Sequence, residues 1–191
     1  MPDMQNEACR QLAASAALLR ATAELAPAIA EAAALIADAL RRGGLVAFCG
    51  NGGSAADCQH LAGELVGRFR RERPAWRAMA LTTDTSILTA IGNDYGYEQV
   101  FARQVDGHMG ARDVLVVFST SGGAANCLLA ADAARARGVT VVGLTGSHGG
   151  ALRSRSDLCL CVPSDDTPRV QEAHIAIGHI ICDLVEQELT A

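Results

Sequence analysis

Five side chains in this sequence have the types and spacing to hold a metal ion or move a proton: His60, Glu64, Gln171, His174 and His179. On a helix, His60 and Glu64 stand four residues apart and leave the same face. On a second helix near the C-terminus, Gln171 and His179 project about 80° apart, close enough in angle to converge on one small object. His174 could do so too, so periodicity does not choose between the two histidines, and each taken alone is more often a packing or interface residue than a ligand. Joined to His60 and Glu64, the later residues would complete a four-ligand N/O site suited to zinc.

Two further stretches could hold an anion. Residues 50–54, Gly-Asn-Gly-Gly-Ser, follow an apolar run at 45–48, and Ser119-Thr120-Ser121-Gly122-Gly123 follows another at 114–118. Each opens a helix, whose first backbone N–H groups have no partner inside the helix and suit a phosphate without any cationic side chain. Ser54 is the expected N-cap, with Asp57 three residues on as in a capping box. The segment 50–55 also fits the G-x-G-x-x-A dinucleotide fingerprint, which wants an acidic residue about twenty positions later to hold a ribose. That region reads Arg70-Arg71-Glu72-Arg73-Pro74, so a small phosphorylated ligand is the better guest. Asn93-Asp94 reads either as a ligand contact or as a turn with Gly92 or Asn93 left-handed.

These residues need a scaffold that brings loop ends together. From residue 45 on, apolar runs at 45–49, 77–82, 113–118, 139–144 and 157–162 alternate with helical stretches. This pattern predicts an α/β fold with a five-stranded parallel sheet flanked by helices, a three-layer sandwich. The small and hydroxyl-bearing residues fall after the strands, at the carboxyl edge, where open sheets of this kind bind ligands. Residues 1–43 read as two helices broken just before Pro27 and ended by Gly43-Gly44. They form an N-terminal extension to a single domain whose α/β core is 44–191. The first helix is apolar around much of its girth (Leu12, Ala13, Ala16, Leu19, Ala23), which suits packing against another subunit. A last helix is expected over about 167–190, with Pro168 in its first turn.

Composition narrows the function. All sixteen basic residues are arginine, which removes Schiff-base aldolases, pyridoxal enzymes and the lysine-bearing phosphate loop. A net charge of −5 argues against nucleic-acid and anionic-membrane partners, and the cluster Arg68, Arg70, Arg71 and Arg73 reads as a solvated helix end or subunit contact. Seven cysteines without a C-x-x-C pair read as small buried hydrophobes in a reducing compartment. With no apolar signal core and no run of membrane-spanning length, the expectation is a soluble cytoplasmic protein.

The motifs Cys-Gly-Asn-Gly-Gly-Ser (49–54), Gln-His-x-Ala-x-Glu-Leu-x-Gly-Arg-Phe (59–69), Ala-Ile-Gly-Asn-Asp-Tyr-Gly (90–96), Ser-Thr-Ser-Gly (119–122) and Arg-Val-Gln-Glu-Ala-His-Ile-x-Ile-Gly-His (169–179) resemble those of the phosphoheptose isomerases, sugar-isomerase (SIS) domain enzymes. The resemblance implies conversion of sedoheptulose 7-phosphate to D-glycero-D-manno-heptose 7-phosphate in a cytoplasmic homotetramer, with active sites at subunit contacts and one Zn2+ per subunit. It implies His60, Glu64, Gln171 and His179 as metal ligands and Glu64 with His179 as the acid/base pair. It further implies Asn51, Gly52, Gly53, Ser54, Glu64, Asn93, Asp94 and Gln171 as substrate contacts, with Ser119, Thr120 and Ser121 as the phosphate loop. Ala124 departs from the pattern, standing where the family commonly has serine. The alternative is a non-catalytic SIS scaffold that binds a replication initiator or senses a sugar phosphate.

Overall fold

The computed structural model describes residues 3–191. Five strands form where the apolar runs are: β1 (Val46–Gly50), β2 (Ala78–Ala80), β3 (Val114–Phe118), β4 (Thr140–Thr145) and β5 (Leu158–Cys161). All pair in parallel in the order β2-β1-β3-β4-β5. The register sets Phe48 opposite Val116, Val116 opposite Val142, and Leu144 opposite Leu160. Such strands are apolar throughout because both faces are covered.

Alternate side chains enter two cores. Val46, Phe48, Val116, Phe118 and Leu144 meet α2 (Ala26–Arg41), α3 (Gly53–Val66) and α8 (Thr167–Thr190). Ala47, Leu115, Val117 and Val141 meet α5 (Ala102–His108), α6 (Ala125–Ala136) and α7 (Gly150–Arg153). A short helix α4 (Thr85–Tyr95) follows β2. The three-layer sandwich is therefore the one the alternation predicts.

The N-terminal region divides more sharply than a single extension would. The break falls at a 3-10 turn, Ala23–Leu25, after which Pro27 occupies the first turn of α2, where its missing N–H costs nothing. α2 belongs to the main core through Ile29, Ala32, Ala33 and Ile36. α1 (Met4–Thr22) lies at its edge, packing against it through the partly buried Leu18, with Thr22 as its buried residue and Leu12 at 71% exposure. Arg169 of α8 tethers α1 by donating to the Gln11 carbonyl at 2.9 Å. Cys9 on α1 is exposed, and Cys159 and Cys161 are half-buried, so the cysteines are not uniformly core residues.

His174 is a core residue. It is fully buried, its Nε2 donates to the Thr145 carbonyl at 3.2 Å, and its ring meets the Phe118 ring edge at a centroid distance of 5.7 Å. Burial pushes its imidazole down from 6.5 to about 4, with the Thr145 hydrogen bond opposing that shift. The unfolded chain thus takes up a proton near pH 6.5 that the folded chain refuses until about pH 4. Stability associated with His174 is complete above pH 6.5 and is withdrawn as the pH falls toward 4, by on the order of 2–3 kcal/mol. His174→Gln, which keeps a donor for Thr145, should flatten this loss, as read by urea unfolding at pH 7 and pH 4.5. Equal losses in the variant and the wild type would exclude His174 as the source.

Candidate active site

β1 ends at Gly50 and the chain turns through Asn51 and Gly52 into α3. Gly52, at φ +58° and ψ −123°, is itself the N-cap, a conformation that side-chain-bearing residues avoid. The helix therefore starts earlier than expected. Ser54 is not its N-cap but lies within the first turn at 3% exposure. Asp57 closes no capping box. Its Oδ2 is buried without a partner, and burial pushes its carboxyl up.

α3 and α8 run parallel, side by side, and this brings the chemistry together. A Cβ on Gly178 would meet the Leu61 side chain at 2.6 Å, so the glycine lets the helices approach where Leu61 packs. Beside that contact, His60 Nε2 lies 2.8 Å from His179 Nε2 and 3.3 Å from Glu64 Oε1. One ligand atom from each of His60, Glu64 and His179 can be chosen so that all lie within 4.8 Å of one another. Two imidazoles and a carboxylate are an N/O set for a borderline cation, and three protein ligands with a free position are the pattern of a catalytic zinc. Tetrahedral zinc at ordinary bond lengths sets edges of roughly 3.3 Å; the His60–Glu64 separation matches this, the His60–His179 separation is about half an ångström short of it, and all three atoms lie within 4.8 Å of one another. The donor set fits the ion.

Gln171 lies nearer the start of α8 than this group. It precedes His179 by eight residues, about 12 Å of helical rise, and its carboxamide lies where a Cβ on Gly53 would sit, 2.7 Å from that point. The matching angle on the helix concealed this axial separation. Gln171 stands instead beside the Asn51–Gly53 loop, at the start of α3.

The β3 loop faces the same sheet edge. Strand order reverses between β1 and β3, the place where such sheets form a ligand crevice. Ser119 is buried at 5% exposure, whereas Ser121 is exposed and accepts a hydrogen bond from the Gly123 N–H at 3.2 Å. α6 begins with Ala124 as N-cap and no side-chain cap, so the residue that departs from the family pattern leaves the helix start without a competing hydroxyl. The side chain of Asn51 is engaged with Asn126, each amide donating to the other at 2.9 and 2.8 Å, and the Tyr97 hydroxyl reaches Asn51 Oδ1 at 3.4 Å. Asn126 and Tyr97 were not singled out in the sequence. A polar residue on the sheet-facing side of α6 was the available signal for Asn126.

Asn93 and Asp94 are exposed in the last turn of α4 and hydrogen-bonded to each other at 2.7 Å. Neither Gly92 nor Asn93 is left-handed, and Gly96, at φ +91°, makes the turn instead. Of the arginine cluster, Arg68 and Arg70 are exposed, but Arg73 is not a solvated residue: its side chain is 2% exposed and paired with Glu186 at 3.0 Å.

A family profile described as SIS domain matches residues 12–146. A phosphoheptose isomerase from Rhodospirillum rubrum is 58% identical over 151 residues, covering 79% of this chain and 80% of that protein. One from Akkermansia muciniphila is 57% identical over 152 residues, 80% of each. The solved phosphoheptose isomerase of Neisseria gonorrhoeae superposes with a TM-score of 0.92 at 41% identity, over 96% of this chain and 99% of that one. The Francisella tularensis phosphoheptose isomerase gives 0.93 at 39%, over 96% and 98%. With the glycine turn, the serine loop and the His60, Glu64 and His179 group set on this sheet, these similarities establish that the chain belongs to the phosphoheptose isomerases of the SIS-domain family.

Proposed function

We propose that this isomerase converts D-sedoheptulose 7-phosphate to D-glycero-D-manno-heptose 7-phosphate, the first step toward nucleotide-activated heptose, in the cytoplasm. The observation that carries the reading is the convergence of Glu64 with His60 and His179 beside the anion-binding sheet edge, in a chain similar to phosphoheptose isomerases over four-fifths of its length. A scaffold without catalysis would have no use for that group.

The reaction moves a proton between adjacent carbons through an enediolate. Glu64 takes the C1 proton and returns one to C2. Its Oε1 faces His60, which leaves the other oxygen to act as base. His179 shuttles the proton between the two substrate oxygens, and the Ser119–Ser121 loop holds the phosphate through amides and hydroxyls. His60, Glu64 and His179 would hold Zn2+, which would polarise the carbonyl and hydroxyl, ligation and proton transfer being alternating roles of Glu64 and His179. Gln171, beside its own Asn51–Gly53 loop, is a substrate contact there and the fourth ligand only across a subunit boundary.

The same reading includes an active site shared between protomers of a homotetramer. The apolar groove formed by Leu19, Ala23, Ala26, Ile29, Ala176 and Ile180 supports association, since Leu19 and Ile180 are 41% and 47% exposed in one chain, a surface that a partner would cover.

Glu64→Gln should lower kcat for sedoheptulose 7-phosphate by about 10²–10⁴-fold while the melting temperature stays near that of the wild type. Near-normal turnover would rule Glu64 out as base. Turnover in D2O should place deuterium at C2 of the product, and full retention of hydrogen there would point to a hydride shift. His60→Ala and His179→Ala should each weaken Zn2+ binding tenfold or more in a calorimetric titration. Unchanged affinity in both would dissociate the group from the metal.

A further inference from the structure

Glu186 lies on α8 seven residues after His179, two turns on and about 20° from it around the helix. It is fully buried; within α8 its carbonyl accepts from the Thr190 hydroxyl at 2.6 Å, while the hydrogen-bond partners of its carboxylate lie outside α8. Its carboxylate accepts from the backbone N–H groups of Phe69, Arg70 and Arg71 at 2.8, 2.8 and 2.9 Å, and from Arg73 Nε at 3.0 Å. Burial pushes this carboxyl up, but the three amides and Arg73 outweigh that and hold it below the usual carboxylate range.

The other end of Arg73 closes a circuit. Its guanidinium donates to the carbonyl oxygens of Glu64 at 2.8 Å and Leu65 at 2.9 Å, the last turn of α3, and lies 3.6 Å above the Trp76 ring. The Phe69 ring, next to an amide that Glu186 holds, lies against the His179 ring at a centroid distance of 5.5 Å and 30° between planes. His179 also meets His60, Nε2 to Nε2, at 2.8 Å. A buried ion pair brings little net stability, because desolvation offsets the attraction. What it does bring is a fixed separation between the backbone of Glu64 and the ring of His179.

We propose that Glu186 is a positioning residue of the isomerase. Acting through Arg73 on the end of α3 and through Phe69 on the His179 ring, it sets the acid/base pair in register. The kinetic half of this rests on the reading of Glu64 and His179 above; the geometric half does not.

The test uses the full-length protein labelled with 13C-histidine, with the His179 ring resonance assigned from the spectrum of His179→Gln. Phe69→Leu removes the aromatic ring current on His179, and Glu186→Gln keeps the shape of the side chain without its charge. In Glu186→Gln the His179 resonance should move toward its position in Phe69→Leu. In both variants kcat for sedoheptulose 7-phosphate should fall tenfold or more with KM within twofold. A His179 resonance that stays at the wild-type position in folded Glu186→Gln, or a kcat within twofold of wild type, overturns the proposal. Should Glu186→Gln fail to fold, Phe69→Leu decides alone: wild-type kcat overturns the proposal, and a tenfold fall at unchanged KM supports it. If the wild-type protein itself shows no turnover of this substrate, the functional reading fails, and the resonance shift still decides the positioning.

Discussion

The contact between α3 and α8 is the constraint on which the rest of the structure hangs. These helices follow β1 and β5, strands with two others between them, yet they lie against each other in the same layer. Parallel packing is what lets sequence-distant residues pair in order along the interface: Gln171 by Gly53, Gly178 by Leu61, His179 by His60, and Glu186 by the backbone at 69–71. The missing side chain at Gly178 sets how near the axes come at the level of the reactive group. A larger residue there would push Leu61 out of the core and separate the two imidazoles, so packing and chemistry are one problem at this point.

Two kinds of polar burial surround that contact and solve the same difficulty differently. His174 enters the core uncharged, with one nitrogen on the Thr145 carbonyl and Nδ1 without a partner. Glu186 and Arg73 enter charged, and each is compensated by amides or carbonyls as well as by the other. Unpaired charges would be far costlier to bury than these. The first arrangement ties α8 to the sheet. The second ties it to the far end of α3.

Much of this was legible in the amino-acid order. Apolar runs separated by helical stretches gave the parallel sheet, Pro27 gave the helix break, and Thr167-Pro168 gave the start of α8, because each signal is local and strong. The pairing of His60 with Glu64 was legible for the same reason, as both lie on one helix face. Choosing His179 over His174 was not, since each projects within about 80° of Gln171 around α8 and only the neighbours distinguish them. Angular spacing says nothing of axial distance, so it could not show that Gln171 lies more than two turns from His179 along α8. Ser54 was misassigned as a cap because a glycine turn can begin a helix without a side chain. Arg73 looked like one more surface arginine, since the carboxylate that buries it lies more than a hundred residues further on.

One feature of the sheet resolves an apparent conflict between a net charge of −5 and an anionic substrate. Because every strand runs the same way, α3, α6 and α8 all begin at the same edge, after β1, β3 and β5. The peptide dipoles of these helices therefore point their positive ends at one crevice. Potential near a surface follows the local arrangement of charge rather than the total. Chain direction, written into the backbone and indifferent to which side chains it carries, gives an acidic protein without lysine an attractive face for a dianion.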